Sequence, residues 1–82
     1  MENTTDNSSP DYKKIAGIDL KVLLVKTGLS YSEISKILNN KGMTDSEATL
    51  AHKVSRGSYS HAWYLQVLDC LGKSLEVKDK NG

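Results

Sequence analysis

The sequence predicts an all-α domain of four short helices, with room for a fifth, behind a flexible amino-terminal tail. Three observations carry that prediction: apolar residues recur at three- and four-residue spacing in four stretches, capping signals open those stretches, and a glycine follows each of them. The 82 residues suffice for one domain and are too few for a large enzyme fold. With 38% hydrophobic and 26% charged residues the composition is that of a soluble globule, and no apolar run nears the roughly 18 residues of a membrane span. The polar, acidic amino terminus lacks the basic-then-apolar order of a signal peptide, so a cytoplasmic chain is expected. A lone cysteine, Cys70, leaves no internal disulfide to support a small core. Stability has to come from packing, with self-association as a further source.

Residues 1–9 (MENTTDNSS) hold one side chain worth burying and are expected to form a disordered acidic tail. The domain proper is placed over residues 10–73. Ser9 and Pro10 read as the cap and first turn of the first helix. Its inward stripe is expected from Ile15, Ile18, Val22 and Val25, widened by Leu20, Leu23 and Leu24 and closed by a left-handed Gly28. Gly17 weakens its first turns. Ser30-Tyr31-Ser32-Glu33 is a capping box for a second helix over residues 30–38, with Ile34, Ile37 and Leu38 inward and Asn39-Asn40-Lys41-Gly42 as its stop.

Thr44-Asp45-Ser46-Glu47 repeats the box and opens a third helix over residues 45–56. Leu50, Ala51 and Val54 are its inward stripe, Asp45, Thr49, His52, Lys53 and Arg56 lie opposite, and Gly57 closes it. Ser60 caps a fourth helix with Trp63, Tyr64, Val67, Leu68 and Leu71 inward and Gly72 as its end. In the tail over residues 74–82, Leu75 and Val77 alternate with Ser74, Glu76 and Lys78, a weak strand signal.

Residues 12–73 carry nine cations against five anions, whereas residues 1–11 carry three anions and no cation. A modestly basic body is compatible with a nucleic-acid partner without demanding one. There is no phosphate-cradling glycine loop, no spaced set of metal ligands and no carboxylate pair, so no catalytic centre, cofactor or metal site is expected. His52 and His61 read as surface or partly packed imidazoles, and Cys70 as an inert residue of an apolar stripe.

The order of helix, glycine, capped short helix, turn, capped helix ending in Arg56-Gly57 and final apolar helix ending in Gly72 resembles the lambda-repressor-like (Cro/repressor type) helix-turn-helix domain. Tyr31-Ser32-Glu33-Ile34, Lys53-Val54-Ser55-Arg56-Gly57 and Tyr64-Leu65-Gln66-Val67-Leu68-Asp69-Cys70-Leu71-Gly72 are similar to a group of small bacterial helix-turn-helix domains of unassigned function. The resemblance covers about residues 12–73. It implies sequence-specific binding of double-stranded DNA by a small prokaryotic or phage transcriptional regulator, with residues 45–56 in the major groove and residues 30–38 in support.

Under that resemblance Thr49 and Lys53, one turn apart, are the base readers, with Ser46 and His52 secondary. Lys26, Lys36, Lys41 and Arg56, with the hydroxyls of Ser30, Tyr31, Ser58, Tyr59 and Ser60, are the phosphate contacts. Tyr31 and Tyr59 are expected to be exposed. Two features depart from the family's pattern: the link from Asn39 to Met43 is long, and Asp45 and Glu47 stand where carboxylates repel phosphate. The conflict disappears if Glu47 serves its cap and Asp45 accepts from a cytosine amino group. One module buries little DNA surface, so a homodimer is expected, joined through Leu75-Glu76-Val77 or a spare edge of the fourth helix. The competing reading is a protein-binding module of antitoxin or anti-defence type on the same scaffold, which the balanced charge over residues 44–57 suits; a third is a helical fragment that docks onto a larger assembly.

Overall fold

The computed structural model describes residues 10–80, which form four α-helices: α1 (Tyr12–Lys26), α2 (Tyr31–Asn40), α3 (Glu47–Arg56) and α4 (His61–Cys70). No strand occurs among the described residues, and residues 73–79 run without regular structure. The expected tail over residues 1–9, and the expected cap Ser9 with it, lie outside the described residues. Within them the capping role falls to Asp11, whose carboxylate accepts from the Lys14 amide at 3.2 Å. Pro10 therefore precedes the cap instead of occupying the first turn. An anionic cap both satisfies a free amide and faces the positive helix end.

Local signals set the other helix ends. The Ser30 hydroxyl accepts from the Glu33 amide at 3.1 Å while the Glu33 carboxylate accepts from the Ser30 amide at 2.9 Å, completing the box that starts α2. The Ser60 hydroxyl accepts from the Trp63 amide at 3.0 Å and starts α4. Gly28, Gly42, Gly57 and Gly72 all take positive φ at the four helix ends. Helix α2 continues through Asn40, two residues beyond its expected end.

The start of α3 differs from the expected Thr44 box. Ser46 is the cap, its hydroxyl accepting from the Thr49 amide at 3.1 Å, and the helix begins at Glu47. Distant partners hold the preceding residue in place. The Asp45 carbonyl accepts from the Ser35 hydroxyl at 2.7 Å and from the Asn39 side-chain amide at 3.4 Å, and the Asp45 carboxylate accepts from the Trp63 indole at 3.0 Å. These bonds keep Asp45 out of the helix, and the link from α2 to α3 spans residues 41–46, shifted by two residues from the one expected between helices over 30–38 and 45–56.

Leu20, Leu24, Ile34, Leu38, Leu50 and Val67 are fully buried and form the core with Leu23, Met43 and Leu68. Cys70 is half-buried, its sulfur 3.7 Å from that of Met43. Val54 is half-buried, and Ala51, expected inward on α3, is exposed.

The largest correction concerns α1, which the sequence pattern turns the wrong way. Its buried residues are Gly17, Leu20, Leu23 and Leu24, while Ile15, Ile18, Val22 and Val25 face outward. The reason is steric. A Cβ at Gly17 would run into the Val54 carbonyl, and one at Gly57, where φ is +63°, would run into the Lys13 carbonyl. Two glycines thus let the backbones of α1 and the end of α3 approach closely, and that contact fixes which side of α1 turns inward. Tyr59 closes the same junction by donating its hydroxyl to the Ala16 carbonyl at 2.8 Å. No helix among the described residues is long and apolar enough to cross a membrane.

Candidate nucleic-acid interface

Leu50 anchors α3 inward, and helical periodicity gathers Thr49, His52, Lys53 and Arg56 on one flank beside it, with Thr49 and Lys53 half-buried. These four, with Ala48 and Ser58, line a shallow depression of about 460 Å³. Arg56 also lines a second depression, of about 550 Å³, between α1 and α3, together with Lys13, Lys14 and Lys21. The two depressions meet at Arg56 and bring five cationic side chains and one imidazole onto a continuous surface. Its single carboxylate is Asp11, already serving the Lys14 amide. Glu47 shares its flank of α3 with Ala51, four residues on, away from the depression.

Trp63 organises the middle of this face. Its indole donates to Asp45, and the Lys53 ammonium sits 4.8 Å from the ring centroid, within cation–π range. The Asp45 carboxylate, expected to meet a cytosine amino group, is thereby occupied inside the protein. The Trp63 ring also tilts against Tyr59 at 5.4 Å, and Tyr59 stacks on Tyr64 at 5.6 Å. Burial pushes the Tyr59 and Tyr64 hydroxyls above the usual tyrosine range, and nearby Asp19 adds to it in both.

Of the expected contacts, Thr49, His52, Lys53, Arg56 and Ser58 come together in the first depression. The others are dispersed or occupied. Lys26 lines a separate groove beside α4 and the carboxyl-terminal segment, and Lys36 and Lys41 stand exposed on α2 and just after it. Ser30, Ser46 and Ser60 use their hydroxyls to cap helices, and the Ser46 and Thr49 hydroxyls lie 3.0 Å apart. Tyr31 and Tyr59, expected to be exposed, are half-buried against the core, because both rings complete apolar packing that the short helices leave open. Sequence reasoning missed Lys13, Lys14 and Lys21. Their signal was present as a lysine doublet with a third lysine seven residues after Lys14, all on the part of α1 beside Arg56. It also placed Trp63 in the core alone and missed its bridge between Asp45 and Lys53. No group of three or more His, Cys, Asp or Glu side chains among the described residues is arranged to hold a metal ion.

Fold and surface together define a small all-α domain with one basic face, built where α1 crosses the end of α3. The chain belongs to a family described as a domain of unknown function (DUF6471), which matches residues 12–75 and so includes all four helices. No curated protein and no solved structure matches the chain.

Proposed function

We propose that the chain is a helix-turn-helix module that binds double-stranded DNA in a sequence-specific manner, as a small transcriptional regulator would. In this reading α3 enters the major groove, which is about 12 Å wide and admits one helix. Thr49, His52 and Lys53 meet base edges. Arg56, Lys14 and Lys21 hold the phosphates alongside, and Lys13 adds to the field. The observation that carries the reading is the continuous basic surface through Arg56, whose one carboxylate is occupied at a helix start. The Ser35 and Asn39 bonds to the Asp45 carbonyl support it further, since a rigid link is what holds a reading helix at a fixed angle to its supporting helix. Nothing in the reading requires catalysis.

Binding of the purified chain to duplexes recovered by selection tests it. Affinity should fall steeply between about 50 and 200 mM salt, because phosphate contacts release counterions. Arg56→Ala should weaken binding to all duplexes alike and flatten the salt slope by about 1, whereas Lys53→Ala should cost about 1–3 kcal/mol at one base position. Affinity that ignores salt, or Arg56→Ala and Lys36→Ala costing the same, would overturn the assignment. A protein partner is the second reading, and the outward apolar stripe of α1 is the observation that favours it.

A further inference from the structure

Helix α1 has two apolar faces and the core uses one. On the other, Ile15, Ile18, Val22 and Val25 are between 43% and 62% exposed. Positions 15, 18, 22 and 25 alternate steps of three and four, the rhythm of a seam between two helices. Monomers rarely leave an apolar patch beyond a few hundred Å² in water.

We propose that a second copy of this chain covers the stripe, with the two α1 helices antiparallel about a two-fold axis near Val22. Charge selects this occupant. Asp19 and Lys26 each follow a stripe residue, Ile18 and Val25, and so lie on the same flank seven residues apart. Neither makes an ion pair within the described residues. Antiparallel pairing sets Asp19 of each copy opposite Lys26 of the other, twice over. A parallel seam sets Lys21 against Lys26 and Lys14 against Asp19, one repulsive and one attractive contact, so it gains nothing net from these charges.

Area agrees with charge. The stripe, together with Tyr12 at its start and Leu75 beside Val22, exposes a surface on the order of the ~800 Å² that each partner of a standard interface contributes. A two-fold antiparallel pair also keeps like flanks on one side. Lys14 and Lys21 of both copies then lie on the same side of the seam, and the covered Ile18 borders the basic depression they line. The seam thus lies on α1, not on α4 or a paired Leu75-Glu76-Val77 strand. The proposal stands on the stripe and its flanking charges and does not rest on DNA binding.

Sedimentation of the full chain from micromolar to millimolar concentration tests it. A reversible monomer–dimer equilibrium is expected. Val22→Asp should weaken it roughly 100-fold or more, as a charge at the centre of an interface does, while melting of the dilute, monomeric chain stays unchanged. Asp19→Lys and Lys26→Asp should each weaken the dimer, and the double variant should restore it. A chain that stays monomeric throughout, including one that instead captures a different protein on the stripe, overturns the proposal. So does a dimer indifferent to Val22→Asp, or a double variant no better than either single one.

Discussion

Helices α1 and α2 are decided by different physics. Helix α2 has one apolar stripe, and Ile34 and Leu38 lie on the side that buries, so polarity alone orients it. Helix α1 is apolar on two sides, and polarity leaves its rotation open. The choice is made by shape: the Gly17 side is the one that can touch the backbone at Val54 and Gly57. Where hydrophobic patterning is degenerate, close approach sets the orientation, and the rejected apolar side is left for another molecule.

Four substitutions sharpen this contrast. Gly17→Leu should have the largest effect and abolish cooperative thermal unfolding, because α1 has to leave α3 to accommodate any side chain there. Leu20→Ala, on the inner side of α1, should cost about 2–5 kcal/mol in denaturant titration, for lost burial plus a cavity. Ser30→Ala should cost about 1 kcal/mol by removing the cap of α2. Val25→Ser, on the outer side of α1, should change the stability of the dilute monomer by less than about 0.5 kcal/mol. A large effect of Val25→Ser, or a small one of Leu20→Ala, would reverse the two faces of α1.

The α2 cap also carries a pH signature. Hydrogen bonds from the Ser30 amide and hydroxyl hold the Glu33 carboxyl below the usual glutamate range, with nearby Lys36 adding to it. A carboxylate whose pKa is lowered by folding stabilises above its unfolded pKa and loses that contribution as pH falls through the folded value. Glu33→Gln should therefore be less stable than the native chain at neutral pH, and the gap should close on acidification. Equal stabilities at neutral pH would show that the charge contributes nothing.

The parts of the fold legible in the sequence are those set within a few residues. Ser30 with Glu33, Ser60 and the glycine stops needed only local chemistry, and Leu38, Leu50 and Val67 sit in unambiguous stripes. The start of α3 was misread because Asp45 is held by Ser35, Asn39 and Trp63, ten, six and eighteen residues away. The candidate interface was half legible. Residues on α3 itself follow from helical spacing, so Thr49, His52, Lys53 and Arg56 were foreseeable as neighbours. That α1 contributes Lys13, Lys14 and Lys21 depends on the Gly17–Gly57 crossing, which no periodicity encodes.

Trp63 is the chain's sole tryptophan, and it sits with a cation over its ring and a carboxylate on its indole N–H. An indole excited state redistributes charge across its two rings, so its emission is sensitive to both neighbours. Any molecule that draws Lys53 away from the ring changes one of them while leaving Asp45 in place. The protein thus contains its own fluorescent probe, and occupancy of the α3 face can be followed by light without a label.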